Sequence, residues 1–133
     1  MTNLDNPSGL LYTKEHEWIR LGEDDSATVG ITSFAQDQLG DIVYLDLPVK
    51  GSHIKQFEKL GEVESVKSVS DLFCPISGEV LDINEDAISR PELVNSDPYA
   101  DGWLVKLKIS DRNELTNLLS LDEYQSLLSS AGS

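Results

Sequence analysis

Positive charge and cysteine are what this chain has least of. Ten Lys and Arg stand against 24 Asp and Glu, a formal net charge of −14 at pH 7. Neutralising a phosphate backbone takes clustered basic side chains, so nucleic acid is excluded as a partner, whereas basic protein surfaces are attracted and steered. The same acid keeps a protein soluble. The single cysteine, Cys74, cannot close an internal disulfide, which suits a reducing compartment and the role of a small buried apolar side chain. His16 and His53 lie far apart, with no cysteine nearby and no H-x-x-x-H spacing, so neither marks a zinc site. No apolar run reaches the roughly 20 residues of a membrane span, and no membrane association is expected. The amino-terminal stretch MTNLDNPSGL holds no Lys or Arg and does hold Asp5, which fits neither a signal peptide nor an arginine-rich transit peptide. A bacterial-type cytoplasm is the expected compartment, or the mitochondrial matrix for a processed organellar form.

Catalytic apparatus is equally scarce. No glycine-rich phosphate loop and no G-x-S-x-G elbow occurs, and Cys74 followed by Pro75 lacks the local signature of a nucleophilic cysteine. Asp82, Asn84 and Asp86 imitate the start of a calcium loop, but Ala87 stands where that loop needs Gly and Leu93 where it needs a bidentate Glu. A carrier or binding role is expected rather than a stand-alone enzyme.

The 133 residues suffice for one domain and one core. Val43, Leu45 and Leu47 alternate with Tyr44 and Asp46, and Trp103, Val105, Leu107 and Ile109 alternate with Leu104, Lys106 and Lys108. Both stretches predict half-buried strands. Gly40, Pro48, Gly51, Gly61, Pro75, Gly78 and Gly102 punctuate strand ends. Asp111 three before Glu114, and Ser120 three before Glu123, are capping-box patterns that each predict a helix. Leu115, Leu118 and Leu119 follow the first, and Tyr124, Leu127 and Leu128 the second, at the spacing of an apolar helix face. A short helix is expected at Ser33 to Leu39, stopped by Gly40, and another started by Pro91.

G-E-V-E-S-V-K from Gly61 runs parallel to G-E-V-L-D-I-N from Gly78, which matches Lys67 with Asn84. If the two copies are equivalent strands ending in equivalent turns, only one turn carries an amine. A lysine at a hairpin tip, between Val66 and small Ser68, holds that amine clear of the sheet. An ammonium group is a poor nucleophile, so it suits modification better than catalysis.

Lysine at the tip of one of two quasi-repeated hairpin halves is the arrangement of biotinyl and lipoyl carrier domains, and E-S-V-K-S-V-S-D, Glu64 to Asp71, resembles the lipoylation site of the H-protein family of the glycine cleavage system. The resemblance continues in order through Y-T-K-E-H-E-W (Tyr12 to Trp18), G-I-T-S-F-A-Q (Gly30 to Gln36), L-G-D-I-V (Leu39 to Val43), P-I-S-G-E-V (Pro75 to Val80), P-E-L-V-N-S-D-P-Y (Pro91 to Tyr99) and G-W-L-V-K (Gly102 to Lys106). It covers roughly Leu11 to Leu128. It implies a mainly β fold, the barrel-sandwich hybrid of lipoyl and biotinyl carriers, with short helices and a carboxyl-terminal helical segment, in a single lipoyl-carrier domain over residues 1–133.

The resemblance further implies lipoate bound covalently to Lys67 Nζ and a monomeric, non-catalytic shuttle. Its partners would be a pyridoxal-phosphate glycine decarboxylase, a tetrahydrofolate-dependent aminomethyltransferase, dihydrolipoyl dehydrogenase and a lipoylating enzyme. An H-like relay of lipoyl or octanoyl groups to other complexes would use the same E-S-V-K site, and an unmodified acidic interaction module is the third reading. By resemblance, Glu64 is read by the lipoylating enzyme, and Glu17 and Asp71 help line the groove where a loaded arm rests. Phe34 stands where many relatives carry a polar residue, which implies apolar packing of the arm there. His16 is expected to be a satisfied structural histidine, and Trp18 and Trp103 packing residues. If acid steers docking, apparent Michaelis constants of the partner enzymes for this protein rise with salt across roughly 0.05 to 0.5 M; steady-state kinetics that ignore salt would place recognition on shape and apolar contact.

Overall fold

The computed structural model describes residues 9–132; most of the amino-terminal stretch read above lies outside them. The element order is β1 (Leu11–Tyr12), β2 (Glu17–Leu21), β3 (Ser26–Ile31), α1 (Ser33–Leu39), β4 (Ile42–Asp46), β5 (His53–Ile54), β6 (Lys59–Ser65), β7 (Val69–Phe73), β8 (Gly78–Ile83), α2 (Glu85–Ser89), α3 (Glu92–Ser96), β9 (Val105–Ile109), a 3-10 helix (Arg112–Asn117) and α4 (Leu121–Gly132). A six-stranded sheet runs β1-β2-β3-β9-β8-β5 and a three-stranded sheet β4-β6-β7, with every pairing antiparallel. The fold is mainly β, as expected.

Alternation builds β9, where Val105, Leu107 and Ile109 are buried and Lys106 and Lys108 exposed. The alternation does not reach back to Trp103: Leu104 and Val105 are both fully buried. There the chain leaves strand geometry, with the Leu104 N–H donating to Val29 O and its carbonyl accepting from Asn84 N–H. In β4 the expected face is wrong by one residue. Ile42 and Leu45 are buried while Val43 and Tyr44 are exposed, because the pairing with β6 shifts register between Ile42 and Tyr44. Such a bulge inserts one residue and re-aims the strand, so two apolar side chains point outward together.

The helices follow their caps. Thr32 Oγ1 accepts from Ala35 N–H at the start of α1, and Gly40, at φ 82°, ends it. Pro91 starts α3 as expected. Ser120 and Glu123 close a capping box in both directions, Ser120 N–H to Glu123 Oε1 at 2.8 Å and Glu123 N–H to Ser120 Oγ at 3.2 Å, and α4 follows. The Asp111 box stays half open. Asp111 caps the turn through Asn113 N–H, but Glu114 turns away to accept from Ser77 N–H and Ser77 Oγ, both at 2.8 Å. The segment is accordingly a 3-10 helix rather than the α-helix expected from sequence.

Two apolar clusters hold these parts. The larger lies between the sheets and includes Val63, Leu72, Cys74, Val80 and Leu107. In the smaller, Leu10, Tyr12 and Trp18 receive Tyr124 of α4; the Tyr12 and Tyr124 rings stack 4.6 Å apart and 4° from parallel.

Glu17 is buried within β2. Its carboxylate accepts from Thr13 Oγ1 at 2.5 Å and from Phe73 N–H at 3.1 Å, and among the described residues no lysine or arginine bridges it. Burial pushes its pKa up to about 7 against those two bonds.

The repeated segments are equivalent only along their strands. At Gly61 a Cβ would stand 2.1 Å from Asp46 O, and at Gly78 2.4 Å from Lys108 O, so in both copies a partner-strand carbonyl occupies the space a side chain needs. Val63 and Val80 are buried alike. Past the strands the copies diverge. Asn84 is 4% exposed, its Oδ1 caps α2 at Ala87 N–H, and its Nδ2 donates to Asp101 O at 2.8 Å and Trp103 O at 2.6 Å. It is not at an open turn like that of Lys67, because α2 begins where the other copy turns back.

Two outcomes follow for stability. Asn84→Ala removes a cap and two further hydrogen bonds and lowers the urea unfolding free energy by about 2–4 kcal/mol; Asn84→Lys, which buries an unpaired cation, lowers it further. A lysine at 84 without penalty would contradict the burial. Glu17 sets a pH window. The folded state holds the Glu17 proton more tightly than the unfolded chain, whose ordinary value is 4.5. Its contribution is therefore greatest at the acid end and is lost as pH rises from about 4.5 to 7, by on the order of 3 kcal/mol at most. Glu17→Gln flattens that decline in urea titrations; an unchanged slope would assign the decline to other groups.

Candidate functional site

Lys67 sits on the turn between β6 and β7, and Ser65 builds that turn. The Ser65 N–H donates to Ser68 O at 2.8 Å, while its hydroxyl oxygen accepts from Lys67 N–H at 3.3 Å and Ser68 N–H at 3.1 Å. Val66 N–H donates to Asp41 O at 3.0 Å, which fastens the tip to the α1–β4 corner. Ser65 is buried and Val66, Lys67 and Ser68 are exposed, so the hydroxyl consumes the turn's amides inside and leaves the amine outside. The side chain of Lys67 runs over Gly40, its Cε 3.5 Å from where a Cβ on that glycine would stand. A side chain there would be disfavoured by the backbone, φ 82°, although its Cβ would meet the lysine only in ordinary van der Waals contact.

Asn95 braces this corner, a role that P-E-L-V-N-S did not announce. Its Nδ2 donates to Gly40 O and Gln36 Oε1, both at 2.9 Å, and its Oδ1 accepts from Ile42 N–H at 2.9 Å. One amide side chain thus closes the end of α1 and starts β4.

A groove of about 450 Å³ runs between α1 and β7, lined by Phe34 and Leu39 from one side, Val69, Asp71 and Phe73 from the other, and closed by His16 with Glu15. Leu39 precedes Gly40 and Val69 follows Ser68, so one end of the groove adjoins Lys67. From Val69 to Phe73 the strand rises about 13 Å. A smaller hollow of about 330 Å³ beyond Phe73, lined also by Phe57 and Leu119, adjoins no part of the Lys67 turn. The groove is as polar as it is apolar, with Glu15, Gln38, Ser70 and Asp71 set among the apolar side chains.

The expected neighbours of Lys67 divide into two sets. Glu64, exposed, lies across from Tyr44 on one side and Val69 on the other, so the acid stands between two exposed apolar side chains on the outer face of the three-stranded sheet. Asp71 lines the groove and lies 3.4 Å from Lys59 Nζ. Phe34 lines it as well, its ring 4.7 Å from that of His16. Glu17 is not on the groove wall; it lies behind Phe73, holding that residue's N–H. Trp18 is fully buried, donates Nε1–H to Pro98 O at 3.0 Å and carries the Arg20 guanidinium over its ring at 4.7 Å. Trp103 is half-buried with Lys106 Nζ 5.0 Å from its ring centre. Both tryptophans pack, as expected.

His16 is more than a packing residue. Its backbone takes φ 72°, its Nδ1 lies 2.8 Å from Tyr124 Oη, and Tyr124 Oη lies 2.8 Å from Thr32 Oγ1, the cap of α1. Burial lowers its pKa from the ordinary histidine value. Tyr124 is 108 residues away in the chain, and no local pattern in the sequence pairs it with His16. Cys74 is fully buried, its Sγ donating to Ile76 O at 3.1 Å, and burial pushes the thiol up to about 12. Among the described residues no group of His, Cys, Asp and Glu could hold a metal ion, and no helix is long and apolar enough to cross a membrane.

Comparison with known proteins converges on one family. The family model described as glycine cleavage H-protein matches residues 10–131. A glycine cleavage system H protein of Symbiobacterium thermophilum is 55% identical over 118 residues, 89% of this chain and 91% of that protein. Another, from Coprothermobacter proteolyticus, is 48% identical across 90% of this chain and 94% of its own length. The crystal structure of a glycine cleavage system H protein from Mycobacterium marinum superposes with a TM-score of 0.81 at 35% identity, covering 96% of this chain and 99% of that one. By these matches, and with its lysine-tipped β6–β7 hairpin, the chain belongs to the glycine cleavage H-protein family.

Proposed function

We propose that Lys67 carries lipoate in amide linkage and that the protein shuttles the aminomethyl group of glycine, and then electrons, among the enzymes of the glycine cleavage system. The observation that carries this reading is an exposed lysine, held on a hydroxyl-braced turn, at one end of a groove of mixed apolar and polar lining. When bound, the lipoyl group supplies a disulfide/dithiol couple that accepts the one-carbon cargo and two electrons. Everything else falls to the protein's own residues.

The turn presents the amine. Ser65 fixes the backbone on both sides of Lys67, so a modifying enzyme meets the same geometry at each encounter, and Glu64 between Tyr44 and Val69 gives it a charge flanked by apolar contact. Amide formation would abolish the positive charge of Lys67, and an uncharged arm enters apolar surroundings without dehydrating an ammonium ion. Tethering then converts successive encounters into ones at high local concentration. Along the groove, Leu39, Val69, Phe34 and Phe73 would cover the arm and exclude water, and Asp71 would face a cationic cargo. The protein's own thiol, Cys74, is buried and protonated, so the shuttle reading leaves redox chemistry to the arm and catalysis to the partners.

The specific partners we infer are a pyridoxal-phosphate glycine decarboxylase, an aminomethyltransferase using tetrahydrofolate, dihydrolipoyl dehydrogenase and a lipoylating enzyme. The shuttle acts as one domain over residues 1–133, as a monomer and in a bacterial-type cytoplasm. Lys67→Ala abolishes carrier activity in a reconstituted glycine-cleavage assay and removes the lipoyl mass from the intact protein. It leaves the unfolding free energy within about 0.5 kcal/mol, since an exposed tip residue supports little packing. Retained glycine cleavage by that variant would refute the assignment.

A further inference from the structure

The tip of the β6–β7 hairpin bonds almost wholly to itself. Ser65 Oγ takes the amides of Lys67 and Ser68, and Ser65 N–H closes on Ser68 O. Among the described residues one hydrogen bond leaves residues 66–68 for another part of the chain, from Val66 N–H to Asp41 O at 3.0 Å. Asp41 sits at the corner between α1 and β4, and one side chain holds the residues on either side of it. Asn95 Nδ2 donates to Gly40 O and Asn95 Oδ1 accepts from Ile42 N–H, both at 2.9 Å. The second Nδ2 proton goes to Gln36 Oε1, also at 2.9 Å, so both donors of the amide are in use. Asn95 belongs to α3, and the core sets α3: Val94 is fully buried, and a Cβ on Gly102 would stand 2.9 Å from Val94 Cα. The exposed tip is thus referred to the core through one amide.

The geometry points to Asn95 as the positioning residue for acylation of Lys67: it fixes the Asp41 carbonyl, that carbonyl fixes Val66, and the lysine that follows is offered in one orientation. The inference rests on the lipoyl reading above. Asp41 is exposed, so its carbonyl keeps its place only while Gly40 and Ile42 keep theirs. The side chain of Lys67 runs over Gly40, so the same amide also sets the surface beneath the lysine stem. Without Asn95 the Ser65 turn survives, because its bonds are internal, but the whole tip swings on the ends of β6 and β7. A modifying enzyme then meets the lysine in the right orientation only part of the time, and the apparent affinity falls by that fraction. Once bound, the amine lies where it lay before, and the chemical step proceeds at its former rate. Asn95 therefore governs how often the encounter succeeds and leaves its chemistry alone.

The test acylates the unmodified full chain with an ATP-dependent lipoate ligase and free lipoate. The lipoate carboxyl carbon forms a C–N bond to Lys67 Nζ, the ammonium gives up two protons, ATP leaves as AMP and pyrophosphate, and nothing is oxidised. Asn95→Asp keeps the acceptor for Ile42 N–H and removes both donors. It is expected to raise the ligase's KM for this protein roughly five- to tenfold, the worth of one hydrogen bond, with kcat within about twofold. In the same variant Val66 N–H exchanges with solvent about tenfold faster or more, while Ser68 N–H, bonded inside the hairpin, is unchanged. Asn84→Ala, which strips hydrogen bonds from the start of α2, is the control for lost stability and leaves KM as in wild type. Gln36→Ala takes one bond from Asn95 and shifts both readouts by about twofold; it decides the matter if Asn95→Asp does not fold. An unchanged KM, an unchanged Val66 exchange rate, or an equal rise in KM for Asn84→Ala overturns the inference. Failure of the lipoyl reading shows itself separately, as wild-type protein that gains no lipoyl mass, and the Val66 exchange still reports whether Asn95 holds the tip.

Discussion

Strand β6 is paired along both edges, and the site depends on that. Val63, fully buried, is flanked in register by Leu45 of β4 and Ser70 of β7, so a one-residue slip would carry it to solvent and bring Glu62 or Glu64 inside. Because the register cannot slip, Ser65 always arrives at the end of the strand facing inward and Lys67 always beyond it facing out. The hydroxyl of Ser65 then has two turn amides within reach. The pinned hairpin therefore presents Lys67 in one geometry.

Charge sits on this framework at some cost to it. Asp46, Glu62 and Asp71 lie in one row across the three strands, an arrangement of like charges that weakens cross-strand pairing. Lys59 is the local answer, 2.6 Å from Glu62 and 3.4 Å from Asp71, although a pair so exposed is screened and worth little to stability. Folding alone does not call for three acids in a row on the hairpin that carries Lys67. A basic partner approaching the lysine tip would offset their repulsion, which accords with a surplus of acid carried by the whole chain.

Much of this was legible beforehand because it is local. The periodicity of β9, the cap and stop of α1, the Ser120 box and the lysine-tipped repeat each occupy a few adjacent residues, and strand period, capping and turn chemistry act at that range. The misreadings share the opposite property. Val43 was placed on the buried face because a bulge against β6 is invisible in β4 alone. The Arg112–Asn117 segment was read as an α-helix because Glu114's preference for Ser77, 37 residues away, cannot be seen beside Asp111. Asn84 was matched to Lys67 because the strands that precede them are equivalent; the carbonyls of Asp101 and Trp103 that bury it are supplied by another part of the chain.

The sequence by itself determined which lysine is singled out, the β character of the core and the family to which the chain belongs, since these rest on adjacent residues whose propensities and motifs survive without neighbours. The tertiary structure alone decided what surrounds that lysine. The groove exists because α1 and β7 come side by side. Glu17 proves to be a buried carboxyl behind Phe73 instead of a groove wall, and Asn95 holds the corner under Gly40. His16, which lines the groove, is hydrogen-bonded to a tyrosine 108 residues downstream. Hydrogen bonds and burial join groups by distance in space, and that distance is set only when the two sheets and the last helix have packed.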